Sequence, residues 1–345
     1  MLRVLLVGVS VFGMTLALGC SAGPCDDTDS LCVLSEETAE AHLCVRAPVD
    51  DDVWIVGTEG APDVSGPSAL HWDGAEWTRL DLAEYAGREL WWAHPGERRV
   101  TMVGSAGLIL EYERTSGLIS SVEGPESAVT FFGVWGTDDD DLWAVGGDVG
   151  GSLPGQIWRR DAAGWAPYSG SVDAPPETLW FKVDGRASDD VWIVGSGGRI
   201  LHWNGSELVS EATAEAAMGA SLFTVAAGGD EVLAVGGAAE GVILHYSDAA
   251  AVWADRAPEY SGGINGVCSG GGRTQAVGGQ GAVYTLADGV WTYEVAGLTL
   301  RDYHACATSP SGELWAVGGQ IVSRPLNAGV VTYAGAQAVP SLPGW

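Results

Sequence analysis

A short apolar phrase that ends in glycine occurs seven times along the chain, and no other feature constrains the fold as strongly. The phrase reads VWIVG at 53–57, VTMVG at 100–104, LWAVG at 142–146, VWIVG at 191–195, VLAVG at 232–236, TQAVG at 274–278 and LWAVG at 314–318. The closing glycines are 47, 42, 49, 41, 42 and 40 residues apart. A period in the forties, marked by glycine and aromatic residues, is typical of β-propeller blades. The repeat therefore predicts an all-β, seven-bladed propeller.

Each repeat divides into four short antiparallel strands. The first carries apolar residues two positions apart, such as Phe132 and Val134, and the second is the repeated phrase itself. Because that phrase is apolar at nearly every position, both faces of the second strand should be buried between neighbouring sheets. A third strand such as 198–203 leads through a tight Asn-Gly or Asp-Gly turn to the fourth strand. We predict one propeller domain over residues 42–345.

The first 19 residues have the pattern of a secretory signal peptide. Arg3 precedes an apolar run that is too short to span a bilayer, and small residues follow the run. The end of this segment, Leu16-Ala17-Leu18-Gly19-Cys20, resembles the lipobox of bacterial lipoproteins. The resemblance implies lipid attachment at Cys20 and a membrane as partner through that anchor. In enteric Gram-negative bacteria an aspartate after the cysteine marks inner-membrane retention, so Ser21 implies an outer-membrane lipoprotein of the cell envelope.

An acidic stretch at 20–41 predicts a tether between the lipid and the propeller. The chain has six cysteines, and export permits disulfides. Cys25 and Cys32 could close a small loop in the tether. Cys44 and Cys306 belong to the first and seventh repeats, which are neighbours in a closed ring, so a Cys44–Cys306 clasp is one pairing. Cys268 competes for Cys306, and the pairing stays open at this point.

The balance of charge excludes one class of partner. The chain has 16 basic and 45 acidic side chains, for a formal net charge of -29. Such a surface repels phosphate backbones and anionic lipid headgroups, and no basic stripe is present to neutralise them. We therefore predict no nucleic-acid binding.

The repeat resembles bacterial propellers of the Ycf48-like and Asp-box (BNR-like) kind, which share a rhythm of WAVG, G-x-I and D-G-x-x-W. The segment HWDGAEW at 71–77 keeps the Asp, Gly and Trp of an Asp box but has His71 in place of Ser or Thr. Double glycines such as Gly146-Gly147 resemble kelch repeats instead. Either likeness implies the propeller fold. Neither implies a ligand, because these repeats support many unrelated functions.

Histidines recur at one position of the third strand but do not indicate a metal site. His71, His202 and His245 occupy this position in three repeats, whereas the other four have Glu111, Arg159, Thr285 and Ser323 there. A position that accepts any polar residue is expected on a blade surface. Equivalent positions of successive blades also diverge around the ring, which is a poor geometry for shared ligands.

Acidic residues are concentrated in the turns between first and second strands, at 50–52, 138–141, 189–190 and 230–231. Calcium prefers several carboxylate and carbonyl oxygens in one loop. The D-x-D-x-D-G pattern is missing, however, and Asp is a common turn residue. We predict no cofactor, and we retain a calcium-stabilised adhesin as an alternative.

Loop lengths differ on one face of the predicted ring. The turn between second and third strands has two residues in three repeats, but extends over 58–66 in the first and 147–154 in the third. The long connections 169–179 and 211–221 lie on the same face. Insertions confined to one face usually mark the binding face of a repeat protein. We therefore predict that a protein or an envelope polymer binds there, with the chain a monomer.

Charged residues also interrupt the first strands near the axis. Arg46, His94, Lys182 and Asp184 flank the first-strand valines, and Lys182 is the only lysine of the chain. They predict polar groups at a channel mouth.

Motifs of catalysis are missing from suitable contexts, including G-x-S-x-G, H-E-x-x-H and a phosphate loop. The leading hypothesis is a membrane-anchored, extracytoplasmic binding or scaffold module without enzymatic activity. The alternative from another class is a glycan hydrolase or lyase whose carboxylates converge at the funnel.

Overall fold

The computed structural model describes residues 31–60, 65–122, 124–125, 127–151, 153–228, 231–294 and 297–344. The predicted signal peptide at 1–19, the lipidation site Cys20 and the tether cysteine Cys25 lie outside these ranges. Among the residues described, no helix is both long and apolar enough to cross a membrane.

The described chain forms strands and four short 3-10 helices. The first thirteen strands are β1 (Cys32–Thr38), β2 (Glu40–Val49), β3 (Asp52–Gly60), β4 (Ser65–Trp72), β5 (Trp77–Arg79), β6 (Leu90–Pro95), β7 (Arg99–Gly104), β8 (Ile109–Glu113), β9 (Ile119–Val122), β10 (Thr130–Asp138), β11 (Asp141–Gly147), β12 (Gln156–Asp161) and β13 (Gly164–Pro167). The others are β14 (Trp180–Ala187), β15 (Asp190–Gly195), β16 (Ile200–Trp203), β17 (Leu208–Ser210), β18 (Leu222–Ala226), β19 (Val232–Gly236), β20 (Val242–Ser247), β21 (Val252–Asp255), β22 (Ile264–Gly270), β23 (Arg273–Gly278), β24 (Val283–Ala287), β25 (Val290–Glu294), β26 (Asp302–Thr308), β27 (Leu314–Gln320) and β28 (Asn327–Ala334). The helices are Ala83–Tyr85, Ser196–Gly198, Glu215–Ala217 and Gly279–Gly281.

These strands make seven four-stranded antiparallel sheets, which confirms the predicted seven-bladed propeller. Blades 1 to 6 each take four consecutive strands, beginning at β2. The repeated phrase is the second strand of every blade, and its Trp54, Trp143, Trp192 and Trp315 are fully buried. Sheet-to-sheet packing on both faces explains why the phrase carries no polar alternation.

Blade 7 closes the ring with a strand from the other end of the chain. Its order is β1-β28-β27-β26, so Cys32–Thr38 is the outer strand and pairs antiparallel with β28. The prediction of a tether over the whole of 20–41 is therefore wrong for its last ten residues, because the described strands begin at Cys32. The segment 32–38 is acidic and contains Ser and Thr because an outer strand exposes one of its faces to water. A flexible tether has the same kind of composition, so the sequence alone predicts a tether here. Leu34, on the inner face, is buried.

The cysteines pair differently from the predicted clasp. Cys306 is joined to Cys268, with 5.6 Å between their Cα atoms, so the disulfide links the first strands of blades 6 and 7. Cys44 is a free, buried thiol that lies against the Ala93 backbone of blade 2. Burial raises its pKa to about 11. Cys32 is disulfide-bonded, whereas Cys25, the partner expected for it, lies outside the described residues.

Candidate functional site

Every first strand carries a β-bulge at the same place near its beginning. The bulged residues are Leu43, Trp91, Phe132, Phe181, Phe223, Asn265 and His304. A bulge inserts an unpaired residue and turns its side chain out of the regular alternation. Here the displaced side chains converge on the propeller axis.

Five of these residues form an aromatic collar, defined as Trp91, Phe132, Phe181, Phe223 and His304. Ring centroids are 5.1 Å apart for Trp91 and Phe132, and 5.6 Å apart for Phe132 and Phe181. The Phe181–Phe223 separation is 5.6 Å, and the Trp91–His304 separation is 5.8 Å. The tilted and edge-to-face geometries are favourable for aromatic pairs. Leu43 is fully buried in a cluster with Leu326, so blade 1 contributes no ring.

The collar is part of the lining of a central cavity of about 1140 Å³. Loops around its opening come mostly from blades 5 to 7, and include 258–263, Gln280, Ile321 and Val322. These are connections of the face on which long loops were expected. The third-blade loop contributes Val149, whereas the expected first-blade loop is largely a continuation of its hairpin, with Gly60 paired to Ser65. The cavity therefore opens on the expected face but lies beside different blades.

Exposed apolar side chains lie at this opening. An apolar rim consists of Val149, Tyr260 and Val322, which are exposed and line the cavity. Met218 and Leu300 are also exposed on connections of the same face, but they do not line the cavity. Tyr260 is 94% exposed and has a φ of 62°, a left-handed conformation that bulky side chains rarely adopt. Such strain persists at functional sites when the surrounding structure enforces it. Tyr260 therefore combines an almost fully exposed aromatic side chain with a strained backbone, which is unusual at a protein surface.

Lys182 lies in the cavity wall and is only 3% exposed. Its Nζ donates a hydrogen bond to the carbonyl oxygen of Phe132 at 2.9 Å and lies 4.1 Å from the centroid of the Trp92 ring. Gly133 allows the first strand of blade 4 to approach closely, since a Cβ there would lie 3.0 Å from the Cα of Lys182 and 3.0 Å from the Phe181 carbonyl oxygen. Burial lowers the pKa of Lys182 to about 7, and the Cys44 thiolate would oppose that shift.

The other three predicted channel residues lie deeper. Arg46, His94 and Asp184 each follow a bulged residue by three positions, and none of them lines the cavity. Burial, assisted by Arg46, lowers the pKa of His94 to about 3. Burial raises the pKa of Asp184, whereas Arg46 and the Ala227 amide, 2.8 Å from the carboxylate, oppose the increase. The structure thus groups these three in the channel and separates Lys182 from them.

Two of the three recurrent histidines, His71 and His202, belong to a structural unit of the blades. His245 differs and is not on the blade surface as expected: it is 2% exposed, lies 2.7 Å from Glu231, and accepts a hydrogen bond from the Trp291 indole at 2.7 Å. Asp52 accepts hydrogen bonds from the Trp54 indole at 2.7 Å, and His71 stacks on that indole with 4.1 Å between centroids. His71 Nε2 is also 2.7 Å from the Asp52 carboxylate. Blade 4 repeats the arrangement with Asp190, Trp192 and His202. In blade 7 the residue opposite Trp315 is Tyr333, not the expected Ser323, because the third strand begins only at Asn327.

The acidic turns are engaged in contacts between blades. Asp139 and Asp140 of blade 3 pair with Arg98 and Arg99 of blade 2. Asp52 of blade 1 accepts two hydrogen bonds from Arg114 of blade 2, at 3.1 and 2.8 Å. Within the described ranges, no group of three or more His, Cys, Asp and Glu could hold a metal ion. Asp52, Asp139 and Asp140 are thus engaged by arginines of neighbouring blades.

Two carboxylates line the cavity, from Glu259 and Asp302. One oxygen of Asp302 already accepts the backbone amide of Gln280 at 2.8 Å. The remaining lining is apolar or carries hydroxyl and amide groups, as in Tyr284, Tyr293 and Asn265. The arrangement can hold an apolar group at its centre and offer a few polar contacts around it.

Solved structures of low sequence identity share this fold. Ycf48 bound to a D1 peptide matches with a TM-score of 0.66 at 14% identity, over 91% of this chain and 100% of that chain. The WD40 propeller domain of Doa1 matches with a TM-score of 0.63 at 9% identity, over 88% and 96%. A chain of the mitotic checkpoint complex matches with a TM-score of 0.64 at 11% identity, over 96% and 98%.

These likenesses define the protein as a seven-bladed propeller, and at such identities they establish the fold alone. No protein-family model matches the chain, and no curated protein sequence resembles it. One of these neighbours holds a peptide, and another is part of a complex.

Proposed function

We propose that the protein is a lipid-anchored, extracytoplasmic binding module that docks a protein partner on its cavity face without catalysis. The observation that carries the proposal is the apolar rim around a central cavity of about 1140 Å³. Large exposed apolar residues grouped at one opening usually mark an interaction surface. Aromatic residues that are already exposed and held by the backbone, such as Tyr260, suit the anchors of an interface.

Partner capture tests the docking proposal. The double variant Tyr260→Ala/Val322→Ala removes two rim side chains that are 94% and 82% exposed, so it should fold normally. We expect about a 30-fold or greater loss of affinity for the partner that the unaltered protein captures from envelope extract, since two anchors are removed.

The matched control is Val49→Ala/Leu118→Ala. These residues are 47% and 69% exposed, and they lie on turns of the opposite face. The control should retain the partner. Equal retention by both double variants would show that binding does not use the cavity face.

Membrane attachment is proposed to depend on Cys20 alone. Acyl chains contribute about 0.8 kcal/mol for each buried methylene, so several chains anchor a protein stably. We expect Cys20→Ser to move the protein from the membrane fraction to the soluble fraction, measured by fractionation and immunoblotting. Persistence of Cys20→Ser in the membrane fraction would contradict the anchor.

A further inference from the structure

Lys182 is a buried amine without a counter-ion among the described residues. When it is protonated it has three donors, and among the described residues only the Phe132 carbonyl accepts one of them. The Trp92 ring offers cation-π contact at 4.1 Å but does not neutralise the charge. An unpaired buried charge is costly, which is why burial lowers the pKa of Lys182 to about 7. An anion bound in the cavity would stabilise the protonated form.

The residues around Lys182 have the features of a binding site for an anion. Of the described residues that line the cavity, Lys182 is the only one with a cationic side chain. His304 is neutral there, because burial lowers its pKa to about 3 and Lys182 adds to the effect. Lys182 and the aromatic collar line the same cavity. Phe181 precedes the lysine in sequence, and the backbone carbonyl of Phe132 accepts its hydrogen bond.

We propose that the floor of the cavity binds a small organic monoanion: a carboxylate attached to an aromatic or branched alkyl group, with the Lys182 ammonium as its counter-ion. The apolar part contacts the collar, and the carboxylate takes the two free donors of Nζ. This goes beyond the docking proposal, because it uses the floor of the cavity and not its rim.

Charge at the opening limits the class of anion. Glu259 and Asp302 lie in the cavity lining, and the whole chain is strongly acidic. Phosphates and other polyanions would be repelled more strongly than a monocarboxylate, whose single charge Lys182 balances. The volume of about 1140 Å³ is also far larger than a phosphate needs and fits an apolar body.

The experiment compares three probes of the same shape: 3-phenylpropanoate, its neutral amide and 3-phenylpropylamine. Calorimetric titration of the full-length protein in detergent should show the carboxylate binding about 10- to 100-fold more tightly than the amide, as expected for a charge-assisted hydrogen bond. Biosynthetic ¹³Cε-lysine labelling adds a direct reporter, because Lys182 is the sole lysine and gives one signal. That signal should shift with the carboxylate.

Lys182→Met keeps the length of the side chain and removes its charge, so it should abolish the preference for carboxylate over amide. Thr224→Val is the matched control: Thr224 is a buried polar residue of the neighbouring first strand that bonds the Asn265 carbonyl and does not line the cavity. It should leave the preference unchanged. Equal binding of carboxylate and amide, binding of no probe, or a preference that survives Lys182→Met would overturn the proposal. Rim variants test docking separately, so either proposal can fail alone.

Discussion

Deleting residues 31–39 is expected to destroy the cooperative folding of the propeller. These residues supply β1, without which β28 becomes an unpaired edge and blade 7 has three strands. Leu34 would leave the core, and the Ser35 hydroxyl that accepts the Leu342 amide at 2.8 Å would be lost. The loss should exceed about 5 kcal/mol, which is comparable with the whole stability of many domains. An exposed edge strand also favours aggregation.

The measurement compares thermal melts of a chain that begins at residue 31 with one that begins at residue 40. The longer chain should show one sharp transition, whereas the shorter one should show a broad transition or precipitate. A second contact would also be missing from the shorter chain, namely Arg301 Nε to Glu37 at 2.7 Å. Melting temperatures within a few degrees of each other would show that β1 does not close the ring. The result decides where a soluble version of the protein should begin.

Acidification from pH 7 to pH 5 should destabilise the fold by about 4 kcal/mol through three histidines: about 2 kcal/mol from the fully buried His42, and about 1 kcal/mol from each of His94 and His304, which are only partly buried. Burial, assisted by Arg79, lowers the pKa of His42 to about 4, and burial lowers those of His94 and His304 to about 3. The unfolded chain binds these protons near pH 6.5, whereas the folded chain does not. The histidines therefore stabilise the fold fully above pH 6.5, and the stabilisation is lost as the pH falls toward 3 to 4.

Denaturant unfolding at pH 7 and pH 5 measures this loss without interference from the paired carboxylates. Asp52 and Asp139 have lowered pKa values, so their contribution is present above about pH 4 and is lost only below it. His42→Gln should reduce the difference between the two pH values by about 2 kcal/mol, because His42 is fully buried. An unchanged difference in that variant would assign the pH dependence to other groups.

Repeat spacing was sufficient to predict the architecture of the ring, but not how it closes. Every second strand must pack on both faces, so its apolar phrase is visible in the sequence, as with VWIVG at 191–195. The closing strand Cys32–Thr38 faces water on one side and is rich in acids. Its pattern is therefore that of a tether, and only pairing with β28 distinguishes the two.

The sequence predicts the aromatic collar only in part. Phe132, Phe181 and Phe223 recur two residues before a valine, a pattern that predicts a strand with both residues on one face. The bulge separates them, so that the phenylalanines face the cavity while the valines stay in the core. Trp91 and His304 occupy the same bulged position, and no shared residue type revealed it. A bulge depends on backbone pairing, which the order of side chains does not encode directly.

The sequence by itself determined the class of fold, the number of blades and the acidic character of the surface, because each follows from local periodicity or from composition. Only the tertiary structure shows that β1 closes the ring by pairing with β28, that Cys268 pairs with Cys306, and which groups Lys182 contacts. These depend on residues far apart in sequence, such as Lys182 of blade 4 and Trp92 of blade 2. The first-strand bulges bring such residues to the axis, where Lys182 lies in the wall of a largely apolar cavity and forms no ion pair with the described residues.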